Sequence, residues 1–369
     1  MKYIKYITMV LLVGLFAACS DKDVTYDMEK ANDSNQAYVQ IFNMAPIANS
    51  AANYAYMVDI NGYKYQNNYA ATLLPRNGIP SGGTNLFFTV NAGVLNIKLY
   101  KKENVLYQRD SNGIFYVDGH GVTTRVNEGD LVHFISGDKA VFVNGEAVTG
   151  HFEYNTTMDI VGKTVRDVNY TALERFQDDP YYTGATTLEA GKRYHVFIYD
   201  MEKDPLAVEM EPIPALADVS QQFDGVTDII GAGCNGKFYN FLYESNGQPF
   251  TKKLQVYLYT RTEGTANVRA NYNVETKVGK PFGFGEASEW VTIPLVKSVY
   301  NSSGYDRAYY RFHVIDANGN DEGELTYNRD NKVFEDYWSY YVGRAYLMFA
   351  IGVRDGSGVT MATPRWTAQ

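Results

Sequence analysis

Cysteine is almost missing from this chain, which has two in 369 residues, Cys19 and Cys234. Cys19 closes an N-terminal leader, so the folded part can form no internal disulfide and its domains must be held by their cores. Charge is also sparse. Charged residues make up 20% of the chain and the formal net charge is −9, which leaves no basic footprint for nucleic acid. No stretch carries a long helical period. The best helical candidate, Tyr170 to Gln177, lasts about two turns. Catalytic signatures are lacking as well: there is no Gly-x-Ser-x-Gly, no His-Glu-x-x-His and no phosphate-binding glycine loop before a helix. Carboxylates are plentiful, but spacing along strands does not set two of them across a groove as glycoside hydrolysis requires. Binding is therefore expected rather than catalysis.

The leader itself is informative. Lys2 and Lys5 precede an apolar run from Ile7 to Phe16, followed by the small pair Ala17-Ala18. The run falls short of the ~20 residues that span a bilayer, so residues 1–18 read as a secretory signal peptide. Phe16-Ala17-Ala18-Cys19 resembles a lipobox, with Phe16 where leucine is usual. The resemblance implies a diacylglyceryl thioether on Cys19 and an acylated amino terminus, hence a membrane partner reached through a lipid anchor. At about 0.8 kcal/mol per buried CH₂, several chains anchor stably. Ser20-Asp21-Lys22-Asp23 is similar to the short acidic export signal of Bacteroidetes surface lipoproteins, with Lys22 interrupting it. A plain charged tether is the other reading. Residues 19–36 thus form the lipidated cysteine and a flexible polar tether. The implied location is the outer membrane, lipid-anchored and surface-exposed.

Aromatic residues are 15% of the sequence and tyrosine alone numbers 32, a composition suited to strands. Tyr54, Tyr56, Val58 and Ile60 alternate with Ala55, Met57 and Asp59, and Asn61-Gly62 follows as a hairpin turn. Leu95, Ile97 and Leu99 alternate with Asn96, Lys98 and Tyr100, and Leu254, Val256 and Leu258 with Gln255, Tyr257 and Tyr259. Val141-Phe142-Val143 meets a second turn at Asn144-Gly145. The pattern predicts an all-β protein of sandwich architecture. Glu211-Pro212-Ile213-Pro214 breaks it, because two prolines this close do not fit a central strand. The halves on either side repeat. Each opens with an aromatic strand, Ala37 to Met44 or Gly236 to Leu242. Each closes with glycine, a basic residue and an apolar strand, Gly191 to Ile198 or Gly343 to Ala350. Two copies of one sandwich are predicted, each with its own core. The first spans residues 37–211 with a hairpin insertion at about 103–165, the linker 212–223, and the second copy 224–369.

The opening aromatic-Asn strand, the turn at Pro46 and the closing Gly-Lys/Arg-x-Tyr-x-x-Phe strand resemble the "domain of unknown function 4397" family. The resemblance implies two tandem immunoglobulin-like β-sandwich domains, as in Bacteroidetes surface lipoproteins. It brings no activity and no catalytic residues. The first half departs through its insertion and the second lacks the Ala45-Pro46 turn.

The aromatic surplus is the main functional signal. Flat sugar faces stack on tyrosine and tryptophan rings, which carry a polar handle. One cluster, Asp336 to Tyr341, sets Trp338 and Tyr340 on one side of a strand and Tyr337 and Tyr341 on the other. A second, Asn301 to Tyr310, holds Tyr305 near Arg307. Trp338, Tyr340, Tyr305 and Arg307 are the candidate ligand-binding residues; packing in a core is the competing reading for each. Asp316, Asn318 and Asn320 space oxygen ligands as calcium loops do. However, Asp321 and Tyr327 stand where an EF-hand needs glycine and glutamate, so a polar hairpin turn is preferred and no cofactor is expected. His195, His313 and Cys234 read as packed structural residues. A glycan-binding accessory to an outer-membrane nutrient-uptake complex is the leading expectation. A structural or adhesion protein docking on such a complex or on a host surface is the alternative. An exposed aromatic platform with polar groups would favour the first; a flat apolar patch or open edge strand would favour the second.

Overall fold

The computed structural model describes residues 35–368 apart from 68–69, 81–85, 111–112, 118–122, 127–130, 135–136, 144–145, 153–169, 224–225, 232, 302–303, 328 and 355–358. Between 103 and 175, between 218 and 231 and at 300–301 it describes the backbone alone. The signal peptide, Cys19 and nearly all of the tether, like the Asn144-Gly145 turn, lie outside the described residues. No described helix is long and apolar enough to cross a membrane.

The chain is all-β. The first half begins with β1 (Gln36–Asn43), β2 (Met57–Ile60), β3 (Tyr63–Gln66), β4 (Asn77–Ile79), β5 (Phe88–Asn91) and β6 (Gly93–Tyr100). The insertion supplies β7 (Lys102–Asp110), β8 (Gly113–Val117), β9 (Thr123–Val126), β10 (Leu131–Phe134), β11 (Gly137–Val143), β12 (Glu146–Phe152) and β13 (Tyr170–Phe176). The half closes with β14 (Tyr182–Leu188), β15 (Arg193–Ile198) and β16 (Leu206–Glu209). A hairpin, β17 (Asp218–Phe223) and β18 (Val226–Gly231), leads into the second half. There follow β19 (Cys234–Tyr243), β20 (Lys253–Thr260), β21 (Val274–Phe282), β22 (Val291–Ile293), β23 (Tyr305–Ile315), β24 (Asp321–Glu324), β25 (Glu335–Tyr341), β26 (Ala345–Val353) and β27 (Arg365–Thr367).

The repeat read from the sequence is a repeat of topology. In each half the opening strand pairs in parallel with the closing strand: β1 with β15, Tyr38 opposite Arg193, and β19 with β26, Asn235 opposite Ala345. A short strand flanks the closing strand in each, β16 or β27. The facing sheets run β14-β6-β2-β3 and β25-β23-β20-β21. Their alternating strands bury Leu95, Ile97 and Leu99 in the first half and Leu254, Val256 and Leu258 in the second. Between β2 and β3, Asn61 and Gly62 both take positive φ, the geometry that a two-residue hairpin with native twist needs.

One expectation is corrected. Tyr170 to Gln177 is not helical: Tyr170–Phe176 is β13, paired along its whole length with β7. A two-turn helix has too few hydrogen bonds to stand against a ladder of seven residue pairs. The insertion is thereby larger than a hairpin. It forms a sheet, β10-β13-β7-β8-β9, and a separate β11-β12 pair.

Each half has its own core cluster, and a third cluster joins the two. Ile41 and Val196 face the core of the first sandwich, and Phe238, Leu242 and Met348 that of the second. The intervening residues, Phe42 and Phe197 from one half and Tyr239, Phe241, Leu347, Phe349 and Ile351 from the other, form a third cluster. The Phe197 ring lies 4.9 Å from both Tyr239 and Phe241. The opening and closing strands are consequently buried on both faces. That is why Ala345 to Ile351 is a continuous apolar run with no polar alternation.

Candidate functional site

The outer face of sheet β21-β20-β23-β25 carries the aromatic cluster. Alternation sends Ala308, Tyr310 and Phe312 of β23 into the core. The same alternation turns Tyr305, Arg307, Tyr309, Arg311 and His313 to the other side. β25 contributes Glu335, Tyr337, Ser339 and Tyr341 to that side, and β20 contributes Tyr257 and Tyr259. Register then builds a ladder. Tyr305 sits opposite Tyr341 with ring centroids 5.1 Å apart, and Tyr309 opposite Tyr337 at 5.0 Å. Tyr257 stacks on the imidazole of His313 at 3.9 Å, and Asp321 Oδ2 lies 2.8 Å from His313 Nδ1.

Arginines interleave with the rings. Arg269 stands 4.6 Å over Tyr309, Arg311 4.9 Å over Tyr259 and Arg307 5.2 Å over Tyr337. Arg269 donates from Nε and Nη2 to the two oxygens of Glu335, a bidentate pair. Arg311 donates to Glu335 as well (2.7 Å) and to Glu324. The bond from Arg269, helped by Arg311, holds the Glu335 carboxyl below the ordinary glutamate range against the opposing effect of burial. Beneath this layer the buried pair Arg261–Asp306 (2.8 Å) and the Tyr272 hydroxyl on Asp306 (2.7 Å) pin the 261–272 loop to the sheet.

The predicted ligand residues separate. Tyr305 and Arg307 are on this face. Tyr340 is fully buried: its ring meets Tyr346 edge-on at 5.3 Å and its hydroxyl contacts Met348 Sδ at 3.0 Å. Burial raises its phenol far above the usual tyrosine range. It is a core residue and leaves the candidate set. Trp338 shares Tyr340's side of β25 but lies at the sandwich rim, 40% exposed, with the Arg365 guanidinium 4.8 Å over its ring. The rings missed are Tyr337 and Tyr341, 44% and 41% exposed beside Tyr305 and Arg307. Strand alternation separates the two sets but does not say which one faces out. Glu335 and Asp336 are strand residues held in ion pairs.

Among the described residues β25 has no strand on its outer side, yet part of its edge is guarded. Arg365 Nη2 donates to the Tyr337 carbonyl at 2.8 Å, the Tyr337 N–H goes to Asp336 Oδ1, and the Tyr341 N–H goes to the Tyr346 hydroxyl. Several of the backbone groups that an incoming strand would use are thereby occupied. Elsewhere, a cleft of about 350 Å³ between the halves is lined mainly by apolar residues such as Pro46, Met201 and Val353. It offers few convergent polar groups.

In the candidate calcium loop, Asp316 Oδ1 accepts the N–H groups of Asn318 and Asn320, and Oδ2 accepts the Asn320 amide. Those bonds, first that of the Asn320 side chain, lower the Asp316 carboxyl's pKa. Its oxygens close a hairpin turn. Among the described residues, no group of three or more His, Cys, Asp or Glu side chains is placed to hold a metal ion. Cys234 is buried, its thiol pushed up by desolvation. No family model matches the chain, and no curated protein matches it.

Proposed function

We propose that this protein is a lipid-anchored surface protein that binds glycans without catalysis, as an accessory to an outer-membrane nutrient-uptake complex. The observation that carries the reading is the exposed pair Tyr337 and Tyr341, backed by the buried Tyr309 and half-buried Tyr305, with Arg307 among them. Rigid exposed rings with donors at their edges suit sugars, whose C–H faces stack while hydroxyls hydrogen-bond. The anchor reading rests on Phe16-Ala17-Ala18-Cys19 and on the resemblance to tandem-domain lipoproteins. Replacing Cys19 with Ala is expected to abolish incorporation of labelled fatty acid; continued labelling defeats the anchor.

A glycan array probed with the soluble form, residue 24 onward, tests binding. Retained glycans should be lost by Tyr337→Ala and Tyr341→Ala with the melting temperature nearly unchanged. Retention that survives both substitutions would move the site elsewhere. Docking by strand addition at β25 is disfavoured by the Arg365 and Tyr346 caps on its edge.

A further inference from the structure

We propose that this platform selects anionic glycans, chains bearing carboxylate or sulfate groups, and that Arg307 and Arg344 hold that charge. The inference rests on the glycan-binding reading and narrows it to one chemical class.

The arginines around the ladder fall into two sets. Arg269 and Arg311 are neutralised by Glu335 and Glu324 and hold the sheet together. Arg307 and Arg344 have no carboxylate within ion-pair distance among the described residues. Each stands instead over an exposed tyrosine: Arg307 5.2 Å from the Tyr337 centroid, Arg344 4.8 Å from that of Tyr341. Those tyrosines point the same way from β25, four positions and so roughly 13 Å apart along the strand. The Tyr305 ring lies against Tyr341, with 5.1 Å between centroids.

Arg307 is half-buried on the outer face of β23. The guanidinium is planar, weakly hydrated and matched to two-oxygen acceptors, which carboxylate and sulfate provide and a lone hydroxyl does not. In a chain of net charge −9, uncompensated cations beside exposed rings favour acidic sugars over neutral ones locally, within a Debye length of about 8–10 Å.

The test uses an immobilised panel of matched glycans: polygalacturonate against its methyl ester, and chondroitin sulfate against its desulfated, carboxyl-reduced form. Acidic members should be retained and their neutralised partners held at least about tenfold more weakly, with retention falling as NaCl is added. Arg307→Gln should weaken acidic binding by about 10–100-fold, the range expected for a lost charge-assisted hydrogen bond. Arg307→Lys, which keeps the charge without the fork, should fall between, and Arg344→Gln should weaken binding less. Thermal melts of each variant exclude loss of fold. Equal retention of charged and neutralised partners, unchanged by Arg307→Gln, overturns the acidic class and leaves the glycan reading standing. Retention of no panel member overturns both.

Discussion

Trp338 and Tyr340 project from the same side of β25, two residues apart, and their surroundings differ completely. Tyr340 is sealed against Tyr346 and Met348, whereas Trp338 reaches the rim of the sandwich under the Arg365 guanidinium. Arg365 also bonds Asp336, the Tyr337 carbonyl and the Tyr310 hydroxyl, so one side chain from the facing sheet closes that end of the core.

This difference sets a stability contrast. Tyr340→Ala should cost about 3–5 kcal/mol, the range for removing a large buried ring. Trp338→Ala should cost about 1–2 kcal/mol, from partial burial and the lost cation–π contact. Urea denaturation of the two variants checks this, and equal losses would show that Trp338 is as much a core residue as Tyr340.

A pH dependence follows from His195. It lies fully inside the layer between the halves, with Nδ1 3.0 Å from the Tyr239 hydroxyl. Burial first, and then the nearby Lys237 charge, lowers its pKa to about 3. An unfolded histidine titrates near pH 6.5. Between those values the unfolded chain binds a proton that the folded chain refuses. Stability is therefore present in full above about pH 6.5 and declines as pH falls towards 3, with a limiting slope of about 1.4 kcal/mol per pH unit. Between pH 6.5 and 5, before most carboxylates titrate, His195→Gln should flatten the wild-type decline. Parallel curves for the two proteins would assign the acid sensitivity to other groups.

The all-β class, the internal repeat and the alternating core strands were legible because period-2 patterning at Leu95–Leu99 and Leu254–Leu258 reports one buried face directly. The candidate surface was half legible. Sequence placed aromatics on β23 and β25, but Tyr337 and Tyr341 differ from Trp338 and Tyr340 only by which sheet face the partner covers, a tertiary fact. The shared layer did have a signal. Tyr194-His195-Val196-Phe197-Ile198 and Ala345 to Ile351 do not alternate, and an unbroken apolar strand needs cover on both faces.

That layer makes the last prediction. Phe197 belongs to the first half but touches Tyr239, Phe241 and Phe349 of the second, at centroid distances of 4.9, 4.9 and 5.8 Å. Were the halves independent, Phe197→Ala would weaken only the first and unfolding would split into two transitions. With a shared layer, the substitution should cost about 3–5 kcal/mol and shift one common transition. The complementary experiment frees the second half from residue 224 onward. It would then expose Tyr239, Phe241, Leu347, Phe349, Ile351 and Trp366 together, all of them buried in the intact chain. An apolar patch of that kind drives association. The isolated half should therefore bind a hydrophobic dye, sediment as oligomers and melt below the whole chain. A monomeric product with the melting temperature of the intact protein would show that the third cluster adds nothing to the second sandwich.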